Sequence, residues 1–433
     1  MLKKYSFQFV KKKLNWIFSL TIGTGINMRL RIFKNKYFLL ACGCFAIFFP
    51  GSFVFGFPGV MAAQWQELFN VDKAQIGRIM FFILAGTGFS MYLSGKLQEK
   101  MAPHWMILTG NFFCALSIGL VGYATSITHV YIWAFAEGFF CGFVYIPCLT
   151  IYQKLFPASK GLLTGIINLT FGGSSAVMSP VFSFLLVSKG YGSTCLITMA
   201  AAISMGMACA LFIKLPEPTG KKDLTIATRL SLVQTISLKP FRYLWCVWAL
   251  AGAAGVSLIM LSATFGQALG YDVTQYVMIL TCFNILNGIG RLVCGRLADY
   301  FPKQKILMIV FLFASAAYFL MPFFKNLYML SFLACFIGLA FGTMFTVSAP
   351  LVTECFGLEN FGRVFGLVFT AYGFLAGFLG PWLSGIVLDT TRGNFTIVFT
   401  GFAFFYLISA FLILQVRKAA VIQTPDLNQV WGK

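Results

Sequence analysis

Two charged residues lie well inside the apolar runs of this chain, Glu137 and Arg291. A charge placed there is costly and marks a functional position by default. Arg291 is the stronger candidate. A guanidinium can grip a carboxylate through two parallel hydrogen bonds, a geometry that an ammonium cannot reproduce. Thr281, Asn284, Gly288, Arg291 and Gly295 follow one another at three- and four-residue steps. On a helix they share one face, a polar stripe suited to lining a cavity. Thr164, Asn168, Gly172, Ser175 and Ser179 make a second stripe, whose alternative use is adhesion between helices. Glu137 suits a proton carrier, because burial penalises its charged form. Its alternative is a residue facing water at an outer vestibule. For Arg291 the alternative is snorkelling to the near surface or pinning a loop.

The elements that position these residues are read from hydropathy. The chain has 433 residues, 59% hydrophobic and 10% charged, with mean hydropathy +0.84. So few charges cannot cover the surface of a soluble protein of this length. A bilayer crossing needs roughly 20 largely apolar residues. Twelve such runs are predicted, at 37–62, 77–95, 104–123, 130–151, 161–187, 193–214, 241–267, 274–295, 305–323, 326–350, 364–388 and 395–416. The fold class is an all-α integral membrane protein, with twelve transmembrane helices in two six-helix bundles. Residues 1–36 form a basic tail, 37–214 the first bundle, 215–240 a polar linker, 241–416 the second bundle and 417–433 a second tail. The apolar stretch at 14–25 is too short to span, and Met1 and Met28 are both compatible translation starts.

Orientation follows the placement of Lys and Arg. With both termini in the cytoplasm, all but five of the 32 basic residues fall at the inner side; the five are Lys73, Arg78, Lys189, Lys325 and Arg392. The net charge of +20 is then a signal of topology and of attraction to anionic lipid heads, and no nucleic-acid partner is needed to explain it. The expected location is a bacterial inner membrane.

Gly95-Lys96-Leu97-Gln98-Glu99 matches Gly295-Arg296-Leu297-Ala298-Asp299, 200 residues later. A duplicated signature at that offset indicates two related bundles, the construction of secondary transporters. In each copy the glycine permits close helix approach, and the acid can pair with basic groups or helix ends opposite. Gly95, Glu99, Gly295, Arg296 and Asp299 are therefore the candidate conformational latch.

Six plus six helices with this signature after the second and eighth spans resemble the major facilitator superfamily, whose loop pattern is Gly-x-x-x-Asp-Arg-x-Gly and a basic tail. The chain departs from it at Glu99, Lys100 and Tyr300. A narrower likeness rests on Gly138-x-x-x-Gly142-x-x-Tyr145-x-Pro147, Lys160-Gly161-Leu-Leu-Thr-Gly165, Asn287-Gly288-Ile-Gly290-Arg291 and Phe361-Gly362-Arg363-Val-Phe-Gly366. Together these are similar to the oxalate/formate antiporter and monocarboxylate transporter group, which moves small organic anions. The resemblance implies that Arg291 contacts a substrate carboxylate and that Tyr145 stands at the group's helix 4 tyrosine. Two positions differ. Asn287 replaces a titratable aspartate of the animal monocarboxylate transporters, and Tyr372 replaces the second cation, a lysine, of oxalate transporters. One cavity cation instead of two disfavours a dianion, so a monocarboxylate or an amino-acid-like zwitterion is expected. Arg291, Tyr145, Asn284, Asn287, Tyr372 and Asn168 are the expected substrate-binding residues, with Glu137 the proton-coupling candidate.

Competing readings are export of a larger hydrophobic compound or siderophore, and a membrane sensor without transport. Ser179 precedes Pro180 where efflux members often have Gly-Pro, which argues against export. The chain lacks a GxxxxGK[ST] loop, a CxxC pair among its 12 Cys, and a histidine beyond His104 and His129. No cofactor, metal or enzymatic activity is expected. The expected partners are a small solute, the lipid bilayer and protons, with the chain acting as a monomer.

Overall fold

The structure, a computed structural model, describes residues 36–71, 73–98, 100–213, 230–271 and 273–417. Twelve helices in it are long and apolar enough to cross a membrane, one for each predicted run. They are α1 (Lys36–Phe69), α2 (Lys73–Leu97), α3 (Pro103–Val121), α4 (Ile127–Leu155), α5 (Lys160–Lys189), α6 (Tyr191–Phe212), α7 (Lys239–Ala268), α8 (Val273–Leu297), α9 (Lys303–Leu320), α10 (Leu327–Phe356), α11 (Phe361–Thr390) and α12 (Phe395–Leu414). Helix is what an apolar chain must form in lipid, where every backbone polar group needs an internal partner. The helices run a few residues beyond the predicted spans at several ends, because hydropathy marks the hydrocarbon layer and not the helix that protrudes from it.

Local chemistry sets several boundaries. Asn326 caps α10 by accepting from the amides of Tyr328 and Met329 at 2.9 and 3.3 Å. Asn394 caps α12 in the same way through Thr396 and Ile397. In the linker, Ser231 and Gln234 form a reciprocal capping box on a short helix, Leu232–Ser237, which satisfies two amide donors that a helix start leaves open. The predicted N-terminal tail, most of the 215–240 linker, the C-terminal tail and Glu99 lie outside the described residues.

The first turn of α1 meets the last turn of α4, with Tyr37 against Phe156 at 5.9 Å. The end of α12 meets the start of α9, where Gln304 Nε2 donates to the Val416 carbonyl at 2.9 Å. Both ends of the helical body therefore lie on the face that bears the α2–α3 and α8–α9 turns, here the loop face.

The internal duplication is visible as repeated contacts. A β-carbon on Gly138 would meet the carbonyl of Ile83, and one on Gly338 would meet that of Phe283. Gly366 packs on the Met91 carbonyl as Gly165 packs on that of Arg291. Each glycine lets two helix backbones approach where any side chain would hold them apart. α4 and α10 are the most deeply packed helices, whereas α5 and α8 leave much of their surface uncovered. Two helices of α11's class of irregularity complete the picture: α6 widens to a π-turn at Ala202–Met207, and α11 does so at Ala371–Ala376 and Phe378–Trp382.

Candidate functional site

The two halves touch along the loop-face portions of six helices, in two glycine-lined seams and a contact between α4 and α10. α2 meets α11 at Gly95 and Gly362, at Met91 and Gly366, and again where Gly88 faces Gly373. α5 meets α8 at Gly161 and Gly295 and at Gly165 and Arg291. Asp299 adds a polar fastening: its carboxylate accepts from the amides of Gly161 at 2.7 Å and Leu162 at 3.1 Å. An anion at the first amides of α5 is favoured both by those free donors and by the helix dipole. Arg296 lies 3.9 Å from the same carboxylate and stacks over the ring of Tyr300 at 4.6 Å. Tyr300, which stands where the superfamily pattern has arginine, thus holds an arginine four residues before it. Between α4 and α10, Thr353 donates to Gln153. These two residues are separated by the repeat interval itself, so their contact lies on the approximate twofold axis relating the halves.

Beyond this seal a cavity of about 360 Å³ opens between the halves. α1 supplies Phe55 to it, α5 supplies Leu169, Gly172, Ser175 and Ser179, and α8 supplies Asn284, Asn287, Gly288 and Arg291. Among the described residues, Arg291 is the one charged side chain in that lining, and it is only 9% exposed. It does not snorkel. Its Nε donates to Asn287 Oδ1 at 3.2 Å, and its Nη1 donates across the halves to the Asn168 carbonyl at 2.5 Å. Phe345 lies under the guanidinium at 5.7 Å, a cation–π contact.

The expected binding residues divide into two groups. Arg291, Asn287 and Asn284 line the cavity together with Gly288. Gly295, from the same stripe, belongs to the seal, and Thr281 is exposed and donates back to the Val277 carbonyl. On α5 the stripe also divides: Gly172, Ser175 and Ser179 face the cavity, while Thr164 and Asn168 are buried beside the seal. Tyr145 and Tyr372 stand behind the cavity wall. Tyr145 donates to the Asn168 side chain, which in turn donates to the Thr164 carbonyl at 2.9 Å. Tyr372 is packed among Phe345, Phe369 and Trp248. These aromatics and Phe171 form a plug between the halves at the depth of Arg291.

Glu137 is fully buried, and not at a water-filled vestibule. Its carboxylate Oε2 accepts from Ser117 of α3 at 2.7 Å, and Oε1 has no partner among the described residues. The residue therefore points toward α3, one helix removed from the cavity lining. Phe345, Leu169 and Phe55 were not expected at the site. Their apolar type fits any membrane-facing position, so nothing in the sequence separates them. The glycine face was partly legible, since Gly161, Gly165 and Gly172 recur at four- and seven-residue steps.

The profile of the Major Facilitator Superfamily matches residues 40–278 and again 243–430, one match over each half. Monocarboxylate transporter 13 of Rattus norvegicus is 25% identical over 359 residues, covering 81% of this chain and 83% of that protein. The agnestins efflux protein AgnL12 of Paecilomyces divaricatus is 24% identical, covering 82% of each. Among solved structures, the transporter FucP in its outward conformation aligns with a TM-score of 0.68 at 16% identity, over 88% of this chain and 99% of that one. With twelve membrane-crossing helices and a profile match spanning both halves, the chain is a multi-pass membrane transporter that belongs to the Major Facilitator Superfamily.

Proposed function

We propose that this protein is a secondary active transporter working by alternating access on a small organic solute with one carboxylate, a monocarboxylate or an amino-acid-like compound, taken up together with a proton. The observation that carries this reading is Arg291, the single charged group among the described residues of the cavity lining, with neutral donors and acceptors around it. The cavity volume, about 360 Å³, is at the small end of ligand sites, which run from roughly 300 to 1,000 Å³. The likeness to monocarboxylate transporters supports the same substrate class. In this reading the membrane is a bacterial inner membrane, both termini face the cytoplasm, and the chain acts as a monomer. Gly95, Glu99, Gly295, Arg296 and Asp299 then serve as the inner latch.

Export of a larger hydrophobic compound is the second reading, favoured by the likeness to an efflux protein. A thermal-shift screen separates the two. Short monocarboxylates and amino acids at about 100 times Kd stabilise a folded protein by about 2.7 kcal/mol. They are expected to raise the melting temperature of the wild type and not of Arg291→Gln. Stabilisation only by bulky hydrophobic compounds would replace the uptake reading with export.

Glu137 is assigned the proton. Glu137→Gln keeps the hydrogen-bonding shape toward Ser117 and removes the titratable group. In proteoliposomes with an imposed pH gradient, the accumulation ratio of this variant should fall to about one, while exchange of solute across the bilayer continues. Undiminished accumulation would place the coupling site elsewhere.

A further inference from the structure

The guanidinium of Arg291 rests on bare backbone. A β-carbon at position 172 would sit 2.6 Å from Nη1, 3.1 Å from Cζ and 3.3 Å from Nη2. The neighbouring Gly173 is different, with only a Leu169 methyl 3.9 Å away. One turn before Gly172, the Asn168 carbonyl accepts the Nη1 proton at 2.5 Å. Asn168 is itself anchored by Tyr145 and by the Thr164 carbonyl. Asn287 takes Nε, and the ring of Phe345 lies under the guanidinium.

These contacts leave the two protons of Nη2 and one of Nη1 without an acceptor among the described residues. One proton from each of these two nitrogens makes the end-on pair that a carboxylate can bind with two parallel bonds. The edge of the guanidinium that includes Nε is already engaged.

We propose that Gly172 is a positioning residue. With the Asn168 carbonyl it forms a cradle on α5 that seats the α8 guanidinium, turns its Nη1–Nη2 end to a carboxylate in the cavity, and fastens the two halves at the loop face. The proposal rests on the reading of Arg291 as the carboxylate ligand. The cradle and the arginine belong to opposite halves, so the contact separates whenever α5 and α8 part. Gly172→Ala does not remove any hydrogen-bonding group; it occupies the volume in which the guanidinium lies.

Two measurements test this. The first is uptake of radiolabelled propionate into proteoliposomes. Gly172→Ala should raise KM about tenfold, the scale of one lost charge-assisted hydrogen bond, with a maximal rate within about twofold of wild type. Gly401→Ala, where an added methyl meets nothing within 4 Å, should behave as wild type. The second is hydrogen exchange by mass spectrometry on the purified protein without solute. Gly172→Ala and Arg291→Gln should both speed exchange in the loop-face ends of α5 and α8, and Gly401→Ala should not. Wild-type KM and exchange in Gly172→Ala would overturn the cradle. If the wild type does not move propionate, or Gly172→Ala does not assemble, the exchange of Arg291→Gln decides, and unchanged protection overturns the cradle. Arg291→Gln taking up propionate with wild-type KM would remove the underlying substrate reading. Its loss of uptake beside a normal Gly172→Ala would remove only the cradle.

Discussion

Arg291→Gln is expected to abolish solute uptake, and Arg291→Lys to fall nearly as far, with both variants reaching the membrane in wild-type amounts. Glutamine removes the only charge that the described residues bring to the cavity lining. Lysine keeps the charge and loses the plane. The native guanidinium donates to Asn287 in one direction and to the Asn168 carbonyl in another, and lies over Phe345. A single ammonium nitrogen cannot satisfy those three directions and still offer a carboxylate two parallel bonds. Breaking a buried charged pair costs about 3–5 kcal/mol, which corresponds to a loss of roughly two to four orders of magnitude in apparent affinity. The measurement is initial uptake of the solute identified by thermal shift, at matched protein density in proteoliposomes. Normal uptake in both variants would end the assignment of Arg291 to the substrate. A loss in glutamine alone would show that charge suffices and that the fork geometry is dispensable.

The architecture was readable because lipid leaves so few options. An apolar run of sufficient length has to be a helix there, and Gly95 and Gly295 fixed the repeat interval on which the contacts Gly138–Ile83 and Gly338–Phe283 now recur. Arg291 was readable for a related reason: charge is rare at that depth, and the residue four before the shared glycine is Met91 in the other half. What the sequence left open was direction around the helix axis relative to neighbours. Periodicity places Thr164, Asn168, Gly172, Ser175 and Ser179 on one face, but that face is long. Its loop-face part meets α8 in the seal, and the part beyond it meets the cavity. Glu137 shows the same limit. Its depth was legible, whereas its orientation toward Ser117 of α3 depends on how two helices are rotated against each other. The Asn168 position has a subtler lesson. Its side chain was the expected ligand group, yet the side chain is occupied by Tyr145 and Thr164, and it is the backbone carbonyl that reaches Arg291. A residue type announces side-chain chemistry only.

The loop-face seal yields the second large effect. Gly165 and Gly366 are equivalent in the two halves, and each lies against a carbonyl four residues before a shared glycine, Arg291 for one and Met91 for the other. A β-carbon at either position would fall inside the van der Waals envelope of that carbonyl oxygen, which belongs to a helix backbone and cannot rotate away. Gly165→Val should therefore wedge α5 from α8, and Gly366→Val should wedge α2 from α11. Overpacking of this kind costs typically 1–3 kcal/mol, and here the whole cost falls on the closed loop face, since the opened interface no longer makes the contact. A penalty of about 3 kcal/mol reverses a population ratio by roughly two orders of magnitude. Uptake should be lost in both variants although neither glycine itself lines the cavity, and hydrogen exchange should rise at the loop-face ends of the wedged helices. The two substitutions should be alike in effect if closure uses both seams equally. A wild-type rate in Gly366→Val beside a dead Gly165→Val would instead assign closure to the α5–α8 seam, where Asp299 adds a polar fastening and Arg291 stands at the position that Met91 has in the other half.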